Sequence, residues 1–190
     1  MEIILAENHG FCYGVKRAVE MANEAAEGKG KSYTLGPIIH NPQVVGRLES
    51  KGVSPIQEVA DIDEGTMIIR SHGVGPAIYA EAEEKGLHIL DATCPHVKKA
   101  QQDAKSVIED GMTLVILGEK NHPEVKSINL WANNKGIIIE DEESAKKLQI
   151  VEKMGVVVQT TFSQFKFNSI IEILEKKSKN LKVFKTICNA

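Results

Sequence analysis

Nothing in this sequence approaches the roughly 18 consecutive apolar residues of a membrane helix, so a membrane-spanning role is not expected. The opening stretch, Met1-Glu2-Ile3-Ile4-Leu5-Ala6-Glu7, has an acidic second residue and too short an apolar run for a secretory signal. Cysteine is scarce. Three cysteines cannot all pair internally, and no C-x-x-C spacing occurs, which argues against a secreted disulfide scaffold and for a reducing, cytoplasmic setting. An excess of positive charge is missing too: 23 Lys and Arg stand against 26 Asp and Glu, for a net charge of -3. A nucleic-acid surface needs a clustered basic face, and none is visible. Low-complexity segments and obvious flexible linkers are also lacking. What remains is an ordinary globular profile, 190 residues with 42% hydrophobic and 26% charged content, enough for one or two domains with a real core.

The three cysteines are placed alike. Cys12, Cys94 and Cys188 sit in Gly10-Phe11-Cys12-Tyr13-Gly14, Asp91-Ala92-Thr93-Cys94-Pro95 and Thr186-Ile187-Cys188. Each follows an apolar, strand-like run: Ile3 to Ala6, Leu87 to Leu90, and Leu181 to Phe184. His40 lies 28 residues after Cys12 and His122 lies 28 residues after Cys94, each shortly before a proline. Further on in each copy a buried-strand run ends in polar side chains, Met67-Ile68-Ile69-Arg70-Ser71-His72-Gly73 in the first and Val156-Val157-Val158-Gln159-Thr160-Thr161 in the second. These correspondences define an internal repeat of roughly 80 to 95 residues, near the size at which a unit can fold as a domain.

Periodicity and breakers predict alternating strands and helices. In the first copy Val15, Ala18, Val19, Ala22, Ala25 and Ala26 mark a helix from about Val15 to Glu27, closed by Gly28 and Gly30. A strand near Ser32 to Leu35 follows, then a helix with Asn41 as N-cap and Pro42 as first residue, ending at Lys51-Gly52. Next come a strand at Met67 to Arg70 and a helix from Pro76 to Lys85-Gly86. The second copy is expected to repeat the order: strand Leu87 to Leu90, helix from about His96 to Glu109, strand Thr113 to Leu117 and a helix opened by Pro123. Strand Gly136 to Glu140, a short helix near Glu143 to Leu148, strand Gly155 to Gln159 and a helix from about Gln164 to Lys177 complete it. Ile170, Ile171 and Leu174 form a core stripe on that last helix, whereas Trp131 has no evident partner. The class is α/β, with parallel sheets covered on both faces. Ligands in such sheets collect at the carboxyl ends of strands, beside helix N-termini. Cys12, His40, His72, Cys94, His122, Glu124, Thr160 and Cys188 all fall there.

A free cysteine is often only a small buried hydrophobe, but three at repeated positions suggest more. Converging thiolates suit either a zinc site completed by histidine or an iron-sulfur cluster with one iron lacking a protein ligand. The absence of a close-spaced ligand pair weighs against zinc. His9, His88 and His96 read as structural, while His40, His72 and His122, at strand ends, together with helix-end amides suit an anion such as a diphosphate. Glu124 either stabilises a helix N-terminus or, in a partly desolvated site, serves as a general acid. Thr160 either ends its strand or orients a ligand hydroxyl.

Taken together, Gly10-Phe11-Cys12-Tyr13-Gly14-Val15, His40-Asn41, Ser71-His72-Gly73-Val74, Asp91-Ala92-Thr93-Cys94-Pro95, His122-Pro123-Glu124-Val125 and Gln159-Thr160-Thr161 resemble the 4-hydroxy-3-methylbut-2-enyl diphosphate reductases, the LytB/IspH family. The resemblance runs in order through all 190 residues. It implies α/β modules of αβα type around a pseudo-threefold axis, and a 4Fe-4S cluster held by Cys12, Cys94 and Cys188, its fourth iron meeting the substrate hydroxyl. It implies reductive loss of that hydroxyl, with electrons from ferredoxin or flavodoxin, giving isopentenyl diphosphate and dimethylallyl diphosphate in the methylerythritol phosphate route to isoprenoids. His40, His72 and His122 would bind the diphosphate, Glu124 would relay protons and Thr160 would position the hydroxyl.

Family members have three related modules. The expected division is 1–90 as a first module with Cys12, His40 and His72, 91–185 as a second with Cys94, His122, Glu124 and Thr160, and 186–190 as the start of a third. The sequence stops two residues after Cys188, so the third module, with the family's Ser-x-Asn and serine contacts to the diphosphate, is expected to be absent. The alternative reading is a non-catalytic remnant that binds a diphosphate or zinc.

Overall fold

The computed structural model describes residues 3–4, 7, 9–28 and 30–188. In chain order these form α1 (Tyr13–Glu27), β1 (Ser32–Leu35), α2 (Pro42–Glu49), β2 (Val53–Ile56), a 3-10 turn (Val59–Asp61), β3 (Thr66–Ile69), α3 (Pro76–Glu84) and β4 (His88–Asp91). There follow α4 (Pro95–Glu109), β5 (Thr113–Leu117), α5 (Pro123–Trp131), β6 (Ile137–Ile139), α6 (Glu142–Lys147), β7 (Val151–Val158), α7 (Gln164–Glu175) and β8 (Ser178–Phe184).

The strands make two sheets of four, ordered β2-β1-β3-β4 and β6-β5-β7-β8. Every pairing is parallel, with registers such as Ser32↔Thr66 and Met67↔Ile89 in one sheet and Val115↔Val156 and Val156↔Val183 in the other. Substituting β5 to β8 for β1 to β4 turns one order into the other, so the repeat seen in the sequence is a repeat of topology.

Helices cover both faces of the sheet centres, which is why β3, β5 and the second half of β7 are continuously apolar rather than alternating. Ile68 of β3 packs with Ala18 and Ala22 of α1 and Val44 and Leu48 of α2, while its neighbours Met67 and Ile69 face Ala82 of α3, Val59 and Ile62. In the second sheet Leu114, Ile116 and Val157 meet Ala100, Ala104 and Val107 of α4 and Val125 and Ile128 of α5. Val115, Leu117, Val156 and Val158 meet Ala145 of α6 and Phe167, Ile170 and Leu174 of α7. Each Ile, Leu or Val side chain fully buried in this way contributes about 1.5–3 kcal/mol. Among the described residues no helix is long and apolar enough to cross a membrane.

Several expectations change in the structure. The run Leu87 to Leu90 supplies the last strand of the first sheet, pairing with β3, rather than the first strand of the second. Each unit thus starts from a cysteine and a helix, and closes with the strand that leads to the next cysteine. The strand expected at Ile3 to Ala6 lies partly outside the described residues; Ile3 and Ile4 are 72% and 83% exposed and belong to no strand. β2 and the 3-10 turn had no counterpart in the sequence reading. Pro55 disguises β2, and proline is tolerated there because the strand lies at a sheet edge. Gly28 ends α1 in an extended conformation, its N–H donating to Ala25 O, instead of in a left-handed cap. Trp131 does have partners: its Nε1 donates to Val74 O at 2.9 Å across the two units, and its ring stands edge-on to Tyr79.

Candidate active site

Cys12 and Cys94 occupy the N-cap positions of α1 and α4, and neither makes a side-chain cap hydrogen bond. N-caps are ordinarily Ser, Thr, Asp or Asn, whose oxygen is spent on the helix amides. Cysteine in that place leaves its sulfur uncommitted. It also sets the positive ends of two helix dipoles beside whatever anionic group the sulfurs hold. Cys94 is fixed from the first unit, its N–H donating to Ser71 O at 2.9 Å. Cys188 follows β8 and donates its N–H to Thr160 O at 2.8 Å, while Thr186 Oγ1 accepts from Val158 N at 3.0 Å and donates to Val158 O. Residues 186–188 are thereby pinned along residues 158–160.

All three cysteines are free and line a single cavity of about 340 Å³, together with His72, Glu124 and Thr160. Sequence positions up to 176 residues apart therefore meet in one place. The donor set fits a metal cluster: three uncommitted sulfurs face one cavity, and Gly14 leaves room for Cys94, since a β-carbon there would stand 2.6 Å from Sγ. His96, read as structural, also lines this cavity.

Glu124 sits in the first turn of α5 and is only 2% exposed. Thr160 N donates to its Oε1 at 2.6 Å, and Thr160 Oγ1 donates to its Oε2 at 2.9 Å. Burial raises the carboxyl pKa above its ordinary value, and the two Thr160 bonds offset only part of that. A carboxylic acid held in this balance can keep a proton and release it inside the cavity.

His40, His72 and His122 come together as a triad, with ring centroids 4.5 Å apart for His40–His72, 5.5 Å for His72–His122 and 6.0 Å for His40–His122. One nitrogen from each lies within 4.8 Å of the others. Only His72 also lines the cysteine cavity, so it is the hinge between the two halves of the site. His122 is the N-cap of α5, and its Nδ1 accepts from Glu124 N at 3.2 Å. Its proton therefore sits on Nε2, ready to be donated. His72 is pushed down to about 3 by burial first, then by His40, Arg70 and His122. Burial, His40 and Arg70 lower His122 as well, against an opposing pull from Glu119. Three imidazoles this close suit a metal ion or the oxygens of an anion. The positive charge of Arg70 beside them works against a cation and for an anion.

Arg17, not singled out in the sequence, and Asp91, which opens the Cys94 motif, hold the site together. Arg17 of α1 donates from Nη1 to Thr93 O and from Nη2 to Asp91 O, each at 3.3 Å. It ties the Cys12 helix to the Cys94 loop. Asp91 in turn accepts from Thr93 N at 2.9 Å, Tyr79 Oη at 3.0 Å and Lys98 Nζ at 2.7 Å. Arg17 and its acceptors lie 74 and 76 residues apart, so no local pattern signals that clamp.

A family model described as LytB protein matches residues 3–190. Curated proteins named 4-hydroxy-3-methylbut-2-enyl diphosphate reductase from Geotalea uraniireducens (strain Rf4) and Geobacter metallireducens are each 47% identical over 190 residues, covering all of this chain and 67% of each relative. A solved structure of (E)-4-hydroxy-3-methyl-but-2-enyl diphosphate reductase superposes with a TM-score of 0.85 at 43% identity, covering 98% of this chain and 68% of that one. The E-1-hydroxy-2-methyl-but-2-enyl-4-diphosphate reductase structure from Plasmodium falciparum gives a TM-score of 0.91 at 31% identity, covering 97% and 60%. The chain thus spans about two thirds of the length of the relatives it matches.

Proposed function

The chain belongs to the LytB family, and from that premise we propose that it is a 4-hydroxy-3-methylbut-2-enyl diphosphate reductase, an oxidoreductase of isoprenoid synthesis. The observation that carries the site assignment is that three uncommitted cysteines, His72, Glu124 and Thr160 share one cavity. Cys12, Cys94 and Cys188 would hold a 4Fe-4S cluster, which when bound supplies a Lewis-acidic face and passes on electrons received one at a time from a ferredoxin or flavodoxin.

The overall change takes two electrons and two protons. The allylic C–O bond breaks, the hydroxyl leaves as water, and a carbon of the allyl unit gains a proton, giving isopentenyl or dimethylallyl diphosphate. Each remaining role falls to a residue. His40, His72 and His122 take the diphosphate, with Nε2 of His122 as a preset donor. A multiply charged anion draws protons onto His72 and His122, whose pKa values are otherwise lowered, so binding strengthens its own donors. Glu124 holds the proton to be delivered, because burial keeps its carboxyl protonated above the usual range. Thr160 grips both carboxylate oxygens and so fixes the direction in which Glu124 gives it up.

Anaerobic iron and sulfide analysis with Mössbauer spectroscopy, before and after addition of the allylic diphosphate, tests this. Iron with matching sulfide, and one iron site that changes with substrate, is the expected result. Cys94→Ser should lose cluster and activity together. One zinc per chain without sulfide would instead establish a diphosphate- or zinc-binding protein with no turnover.

A further inference from the structure

A second cavity, of about 330 Å³, lies where the two units meet. Its polar lining is Gln57 and Arg70 from the first unit and Asn121, Lys126 and Ser127 from the second, and it contains no carboxylate. Neither Arg70 nor Lys126 enters an ion pair among the described residues. Arg70 Nε is buried and has no hydrogen-bond acceptor. Buried donors of a charged group are ordinarily satisfied, and an exception calls for a missing partner. Gly36 leaves room for the guanidinium: it has a φ of +71°, and a β-carbon on it would stand 2.8 Å from Arg70 Nη1. Two cations, three neutral polar side chains and no acid make a setting that an anion completes.

We propose that this cleft is an accessory site for a small phosphate-type oxyanion, separate from the histidine triad and held between Arg70 of one unit and Lys126 of the other. Gly73 and Asn121, which line it, directly adjoin His72 and His122 in the chain, so the cleft backs onto the triad. The guanidinium supplies the directional, planar donor set and the ammonium a mobile point charge, the pairing found where an oxyanion is held by position as well as by charge. A bound anion would also bridge the two units and stabilise their junction.

The test uses inorganic phosphate as the probe and is therefore independent of the reductase reading. Calorimetric titration of the whole chain is expected to show saturable binding. Arg70→Met and Lys126→Met should each weaken it about ten-fold or more, the loss expected for a charge-assisted hydrogen bond. In His40→Ala and His122→Ala, which weaken anion binding at the triad, a phosphate-binding event within about two-fold of the same affinity should remain. Lys126 is exposed on α5, so Lys126→Met serves even if Arg70→Met does not fold. Binding that is lost in the histidine variants and kept in the Met variants would place the phosphate on the triad and overturn the proposal. Absence of saturable binding up to about 20 mM would overturn it as well.

Discussion

Gly14 packs directly beneath Cys94, so that a β-carbon on Gly14 would lie 2.6 Å from Cys94 Sγ and 3.2 Å from its Cβ. The glycine is in the first turn of α1, the helix capped by Cys12, so this contact joins two of the three cysteine positions. Glycine there costs the helix about 1 kcal/mol relative to alanine, and the sequence accepts that cost where the sulfur needs the space.

Gly14→Ala is therefore expected to leave the melting temperature unchanged or raised while lowering the iron held after anaerobic reconstitution to about half or less. A purely structural glycine would give the reverse pattern. Full iron loading in the variant would refute the positioning role.

Glu124→Gln should keep the fold and the cluster but cut turnover by about two or more orders of magnitude, as expected for loss of a general acid. In the wild type, turnover should fall as pH rises through the raised carboxyl pKa, because the protonated form is the active one. Stability follows the same sign: the folded state favours the proton more than the unfolded chain does, so this contribution is lost as pH rises. Rate measurements across pH, with denaturation of both forms, check this; near-normal turnover of the variant would remove Glu124 from the mechanism.

His72 gives the opposite pH dependence. Its pKa is about 3 in the fold against an ordinary 6.5, so between those values the unfolded chain binds a proton that the folded chain does not. The stability is fully present above the ordinary value and is lost as pH falls, by at most about 1.4 kcal/mol per pH unit. Urea denaturation between about pH 4 and 7 should show this slope in the wild type and a flatter one in His72→Asn. Addition of diphosphate should be accompanied by proton uptake, measurable by calorimetry in buffers of different ionisation enthalpy.

Arg17→Met removes both bonds from α1 to the carbonyls of Asp91 and Thr93. The expected loss is about 1–3 kcal/mol in urea denaturation, with Arg17→Lys only partly restoring it because an ammonium lacks the forked geometry. An unchanged midpoint would show that the clamp contributes nothing to stability.

Much of the fold was legible because its signals are local. Asn41 and Pro42 mark the start of α2 through cap chemistry, and Asn41 Oδ1 indeed accepts from Val44 N at 3.1 Å. Thr113 to Leu117 reads as a buried strand from its unbroken apolar run and is one in the structure. β2 was illegible because Pro55 contradicts strand propensity, and only its edge position makes the proline harmless. The run Leu87 to Leu90 was legible as a strand but not as a member of the first sheet, since pairing partners are set by packing rather than by the run itself.

The same division holds for the site. The sequence by itself determined the kind of chemistry: which cysteines, histidines and carboxyl groups stand at strand ends and helix starts, and that they recur with a regular spacing. Those features depend on residue type and interval along one chain. Only the tertiary structure decided that Glu124 is locked by Thr160, that Arg17 spans from α1 to the Cys94 loop, that Gly14 yields space to Cys94, and that Arg70 lies unpaired behind the triad. Each is a contact between residues at least 30 positions apart or the lack of one, and it exists because folding brings helix starts and strand ends together, which no interval along the sequence records.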